Sequence, residues 1–195
     1  MRKIPSSELI INGDGTIFHL HLRPEQISDI VILVGDPGRV HMIAEYFDER
    51  ECEVSNREFL TVTGKYKGRR MTVLSTGIGI GNIDICVTEL DALANIDFAT
   101  REVRSELRRL TLVRLGTSGA IQRDIEVGEV LFAATSLGFD GLLSYYEGRD
   151  AVCDLALERA FAEHTGWYEK LPAPYFVDAD KELRELFRDV TREGI

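Results

Sequence analysis

Three times in this chain an apolar run ends in a glycine-rich turn, and that recurrence limits the fold more than any other feature. Ile30-Val31-Ile32-Leu33-Val34 leads into Gly35-Asp36-Pro37-Gly38-Arg39, and Val73-Leu74-Ser75 leads into Thr76-Gly77-Ile78-Gly79-Ile80-Gly81-Asn82. Leu110 to Leu115 leads into Gly116-Thr117-Ser118-Gly119. Apolar residues without alternation, as in Ile30 to Val34, make a strand buried on both faces, which requires cover on both sides of a sheet. Amphipathic stretches follow the first two turns. The sequence therefore predicts an α/β chain, a single domain over residues 1–195 with a central mixed β-sheet flanked by helices.

Local signals fill in the frame. Asp36 suits a helix N-cap and Pro37 the first helical position, so a helix is expected through about Phe47. Residues 58–63 and 71–75 read as strands joined by a hairpin over Gly64 to Arg69. Asn82 can cap the next helix, in which Ile83, Val87, Leu90 and Ala94 keep the spacing of one buried face. Val130 to Leu137 reads as a further strand, and a helix near 150–165 is closed by Gly166. Leu183, Leu186, Phe187 and Val190 define a last amphipathic helix that Gly194 would stop. A helix stopped by glycine normally leads back into the sheet. A further C-terminal segment is thus expected, and the domain reads as incomplete at that end.

Charge and composition exclude several classes. The 195 residues carry 33 acidic and 23 basic side chains, a net charge of −10 at pH 7. That balance disfavours non-specific binding to nucleic acid or to an anionic membrane surface. No apolar run exceeds the five residues of Ile30 to Val34, far short of a membrane span. No basic start followed by an apolar stretch appears at Met1, so a secretory signal is not expected. Cys52, Cys86 and Cys153 are too few and too scattered for a disulfide framework or a zinc site. The expectation is a cytoplasmic chain with no metal, no nucleic-acid partner and no membrane partner.

The glycine turns carry the chemistry. In an open α/β sheet the carboxyl ends of the strands form the ligand crevice. Glycine lets backbone N–H groups approach an anion, and helix N-termini favour negative charge. In an acidic chain an anion site needs local cations, and Arg39 and Arg114 stand at two of the turns, with Thr117 and Ser118 as hydroxyl donors. The same residues also read as routine turn chemistry, with Arg39 on a solvated helix face. The run Gly77 to Gly81 lacks the spacing of a dinucleotide fingerprint. His19 and His21 alternate with Phe18, Leu20 and Leu22, which by itself is an ordinary strand. His41 and His164 read as surface residues on helices, Cys86 as core, and Arg101, Arg104, Arg108 and Arg109 with Glu102 and Glu106 as a solvated mixed-charge face.

Taken together, Val34-Gly35-Asp36-Pro37-Gly38-Arg39-Val40, Asn56-Arg57-Glu58-Phe59, Ser75-Thr76-Gly77-Ile78-Gly79 and Arg114-Leu115-Gly116-Thr117-Ser118-Gly119-Ala120 resemble the nucleoside phosphorylase family, with the uridine phosphorylases as the nearest branch. The resemblance runs from Phe18-His19-Leu20 to about Leu143. It implies phosphorolysis of a pyrimidine nucleoside in salvage, uridine and phosphate giving uracil and ribose 1-phosphate, with inorganic phosphate as co-substrate and no cofactor. It also implies roles. Gly35, Arg39, Arg114 and Thr117 would hold phosphate, and Arg114 would be catalytic. Arg57 would reach the same phosphate from a neighbouring subunit, and His19 would cross to the ribose 5′-hydroxyl. Sites would then be shared across a homodimer interface, usually within a hexamer. Related nucleosidases use water and need no phosphate clamp, so Arg39, Arg57 and Arg114 favour a phosphorylase. No Met-Glu-Met-Glu-like stretch for ribose and no Gln/Arg loop for uracil is present. The alternatives are an inactive, phosphate-binding, oligomerising member and a purine phosphorylase or nucleosidase relative.

Overall fold

In the computed structural model, which describes residues 3–192, the run Ile30–Val34 is β1 and lies inside a mixed sheet. It is followed by α1 (Pro37–Ala44), β2 (Glu49–Asn56), β3 (Phe59–Tyr66), β4 (Arg69–Ser75), α2 (Ile80–Asn95), the short strands β5 (Ile96–Asp97) and β6 (Glu102–Val103), and β7 (Thr111–Leu115). The sheet order is β2-β3-β4-β1-β7, with β1 parallel to both β4 and β7 and with β2, β3 and β4 antiparallel. Both faces of β1 are covered, as its composition requires. Val31 and Leu33 join Leu74, Cys86, Leu90 and Leu93 in one apolar cluster. Val34 joins Val40, Ala44, Val62 and Val73 in the other. Thus α1 lies on one face of the sheet and α2 on the opposite face.

Several boundaries differ from expectation, each for a local reason. Helix α1 ends at Ala44, because Tyr46 and Phe47 bond three residues back in a tightened turn. Strand β2 is unexpected from so charged a segment. It lies at the sheet edge with much of its surface in water, where backbone pairing suffices. The hairpin between β3 and β4 turns on Lys67 and Gly68 alone, with φ of 47° and 76°, the geometry of a two-residue turn that matches strand twist. Gly64, expected in that turn, instead lies within β3. A Cβ there would strike the Glu49 carbonyl and the Phe47 ring. Asn82 does not cap α2. Gly79 is the N-cap, and Asn82 donates from Nδ2 to the Ile78 carbonyl at 3.2 Å. The buried face of α2 runs through Cys86, Glu89, Leu90, Leu93 and Ala94, whereas Val87 is 40% exposed.

The segment around His19 is a turn rather than a strand. Ile17 N–H donates to the Leu22 carbonyl, His21 N–H to the Ile17 carbonyl, and His21 has φ of 57°. Leu20 and Leu22 are buried as the alternation implies, but Phe18 is half-buried and the out-of-phase Ile17 is buried instead, as a turn allows and a strand does not. The arginine-rich stretch is tethered as well as solvated. Arg101 donates to the carbonyls of Ile4, Pro5 and Leu9, and Arg108 pairs with Asp29 at 2.7 Å.

The chain divides into two compact units, the first running to Ser118 and the second beginning at Gly119. In the second, β8 (Thr135–Gly138) pairs antiparallel with β9 (Tyr175–Asp178). Val130 to Phe132, expected as strand, lie outside any regular element, and β9 had no expectation. Helix α3 (Leu155–Thr165) is capped by the Asp154 carboxylate and closed by Gly166 at φ 62°. Helix α4 (Lys181–Arg192) is the expected last helix, and Gly194 lies outside the described residues. Among the described residues no helix is long and apolar enough to cross a membrane.

Candidate functional site

Sheet register brings the three glycine turns to one level. Val34 at the end of β1 lies opposite Ser75 on one side and Leu115 on the other. Thr76 continues this closure, donating from its backbone N–H at 2.7 Å and its hydroxyl at 3.2 Å to the Val34 carbonyl. Gly35, Gly77 and Gly116 therefore all leave the sheet at its carboxyl edge.

Two cations meet over the first of these glycines. A Cβ built on Gly35 would lie 3.6 Å from Arg39 Nη2, 3.7 Å from Arg114 Nη2 and 3.7 Å from the Gly77 carbonyl oxygen. Arg39 arrives from α1, on one face of the sheet. Arg114, in register with Leu33, starts on the face that α2 covers. Among the described residues no carboxylate pairs with either guanidinium. The Arg114 side chain makes a single hydrogen bond among the described residues, a long 3.4 Å one from Nη1 to the Leu115 carbonyl. Like charges held together repel, and an anion accepting from both forks removes that repulsion. The planar forks and the missing side chain at Gly35 suit a phosphate-sized oxyanion.

Not every expected donor joins them. Asp36 caps α1 as expected, its carboxylate accepting the Gly38 N–H at 2.8 Å, and so faces the helix end rather than the anion. Thr117 is exposed beyond β7 and makes no hydrogen bond among the described residues.

His19 and Arg57 form a second group. Arg57 lies at the β2–β3 turn with φ of 55°, and its guanidinium stands 5.6 Å from the Phe18 ring centroid. The Phe18 and His19 rings meet edge to face at 4.7 Å. Asn56, next to Arg57, donates from Nδ2 to the His19 carbonyl at 2.7 Å. Beneath them is Glu89, which accepts the backbone N–H groups of His19 and Leu20 and lies 2.7 Å from His19 Nδ1. Burial pushes the neighbouring Cys86 thiol up to about 12, and the Glu89 charge adds to the effect. No motif in the sequence singles out Glu89. Its signal is a carboxylate on the apolar face that Cys86, Leu90 and Leu93 define. Gly77 has φ of 67°, and a Cβ added there would lie 2.7 Å from Asn82 Nδ2 and 2.9 Å from the Glu58 side chain.

The profile of the Phosphorylase superfamily matches residues 29–195. The chain belongs to the Phosphorylase superfamily. The match takes in β1 and all three glycine turns, and starts after His19. A uridine phosphorylase of Thermococcus kodakarensis is 33% identical over 197 aligned residues, covering 100% of this chain and 65% of that protein. A DeoD-type purine nucleoside phosphorylase of Anoxybacillus flavithermus is 40% identical over 119 residues, 60% of this chain and 45% of its own length. Among solved structures, a Trypanosoma brucei nucleoside phosphorylase described as showing uridine phosphorylase activity superposes with a TM-score of 0.80. It is 27% identical, with 93% of this chain and 61% of that one covered. The chain thus spans about two thirds or less of the length of these superfamily relatives.

Proposed function

We propose that this chain catalyses phosphorolysis of a pyrimidine nucleoside, with uridine and inorganic phosphate giving uracil and ribose 1-phosphate. The observation that carries the reading is the convergence of Arg39 and Arg114 over Gly35 without a carboxylate partner. Pyrimidine over purine is favoured because similarity to the uridine phosphorylase runs through the whole chain, while that to the purine enzyme covers 60% of it.

In this reading Gly35, Arg39 and Arg114 hold phosphate beneath the sugar, with Thr117 closing on it when the anion is bound. The glycosidic bond breaks as positive charge develops on the ribose. Phosphate fixed by the arginines opposes that charge and attacks C1′, so positioning and electrostatics supply the rate. His19 takes the ribose 5′-hydroxyl, and Arg57 reaches a neighbouring subunit's phosphate. The grouping of His19 with Arg57, apart from the Gly35 cluster, supports sites shared across a homodimer or hexamer. The enzyme serves nucleoside salvage in the cytoplasm, with phosphate as co-substrate and no further cofactor.

The test is release of base from uridine and from inosine, with and without inorganic phosphate. Uracil and ribose 1-phosphate should form only when phosphate is present, with inosine cleaved more slowly. Phosphate-independent cleavage would make the chain a nucleosidase, and faster inosine cleavage a purine enzyme. Phosphate binding without cleavage of either nucleoside would leave a non-catalytic, phosphate-holding member of the superfamily.

A further inference from the structure

The contact between His19 and Glu89 determines more than the place of a side chain. Glu89 is 9% exposed and sits on the apolar face of α2, a costly location for a carboxylate unless its oxygens are satisfied. They are. The His19 N–H lies 3.0 and 3.1 Å from the two oxygens, the Leu20 N–H lies 2.8 Å from Oε2, and His19 Nδ1 lies 2.7 Å from Oε1. An ionised carboxylate is acceptor-only, with lone pairs and no proton to offer the imidazole. The ring must then donate from Nδ1, which leaves Nε2 of the neutral ring as an acceptor. Asn56 fixes the His19 backbone through its carbonyl, and the Phe18 ring meets the imidazole edge to face. The His19 side chain keeps 27% of its surface exposed, so the residue is not sealed from a ligand.

We infer that Glu89 is the positioning residue for His19, fixing the imidazole in its Nδ1–H form so that Nε2 accepts a hydrogen bond from a nucleoside hydroxyl. This rests on the reading of His19 as the ribose 5′-hydroxyl contact. It adds a direction to that contact: the hydroxyl donates and the histidine accepts. Specificity follows, because a nucleoside without a 5′-hydroxyl has nothing to donate. In Glu89→Gln the amide oxygen must serve the Leu20 N–H, which turns the NH2 group toward Nδ1. Two donors cannot share that contact, so the ring proton moves to Nε2 and the acceptor is lost.

Two measurements on the full chain test the inference. Long-range 15N–1H correlation spectra of histidine-labelled protein report which ring nitrogen carries the proton. His19→Gln assigns the signal among the four histidines. Wild type should show a protonated Nδ1 and a bare Nε2, and Glu89→Gln the reverse. In steady-state assays Glu89→Gln should raise KM for uridine about tenfold, the worth of one hydrogen bond, with kcat little changed. KM for 5′-deoxyuridine should stay as in wild type. A wild-type ring protonated at Nε2, or equal KM increases for both nucleosides, overturns the inference. If neither nucleoside is turned over, the phosphorylase reading fails, and the ring signals alone decide the role of Glu89. If Glu89→Gln does not fold, the wild-type spectrum decides it.

Discussion

Gly35→Ala separates the anion site from the fold that carries it. The added Cβ would lie 3.6 Å from Arg39 Nη2 and 3.7 Å from both Arg114 Nη2 and the Gly77 carbonyl, ordinary van der Waals distances. Gly35 is not among the glycines with positive φ, so alanine meets no backbone strain. Stability should therefore hold, or rise by about 0.4–1 kcal/mol through the stiffer unfolded chain. Phosphate binding should not hold, because the methyl group stands where an oxyanion would touch both guanidiniums. Loss of one charge-assisted hydrogen bond costs about 1.5–3 kcal/mol, or roughly ten- to hundredfold in affinity. Urea unfolding and calorimetric titration with inorganic phosphate, on one preparation, measure the two quantities. An unchanged urea midpoint with weakened phosphate binding is the expected pair. Phosphate affinity equal to wild type would refute the placement of the anion over Gly35.

Other consequences are as direct. Arg39→Ala and Arg57→Ala subunits, each impaired alone, should regain activity on mixing if Arg57 serves a neighbour's phosphate; no recovery despite demonstrated subunit exchange counts against shared sites. Gly64→Ala should lower stability by about 1–3 kcal/mol, because its Cβ would strike the Glu49 carbonyl and the Phe47 ring, and a wild-type urea midpoint would contradict that close approach. Cys86 provides a pH test. Its thiol moves from 9.0 up to about 12 in the folded chain, so the unfolded chain ionises first and stability is present below pH 9 and lost above it. The loss should approach about 1.4 kcal/mol per pH unit, and Cys86→Ala should flatten it. Parallel unfolding profiles for the two proteins would show that the thiol carries none of this dependence.

How much of this was legible in the sequence depends on how far apart the cooperating parts lie. Strand β1, the Asp36 cap and the turn to Arg39 are local, and composition alone sufficed to read them. β2 escaped notice because Glu49, Arg50, Glu51 and Glu53 conceal an edge strand that pairs through its backbone. Gly64 was misplaced because a glycine required by close packing inside a strand looks the same as one required by a turn. Alternation around His19 marks the burial of Leu20 and Leu22 but not of Ile17, and not the backbone conformation, since a turn can bury both leucines while leaving His21 between them half-buried.

The two halves of the site differ in this respect for a physical reason. The Gly35 cluster is assembled by parallel register: once Val34 is level with both Ser75 and Leu115, residues just inside or past each strand end must meet. A reader who recognises three buried strands ending in glycine turns already has that geometry. The His19 group has no such repeating element behind it. Its parts are a turn with a left-handed residue at His21, a hairpin tip with another at Arg57, and a carboxylate 70 residues from His19 on the apolar face of α2. Of these only Glu89 leaves a trace in one dimension, because a charge at a buried helical position demands partners. Its partners prove to be two backbone N–H groups and one imidazole nitrogen. The sequence anomaly at Glu89 and the orientation of His19 are therefore one fact, and a change to either residue should be read out at the other.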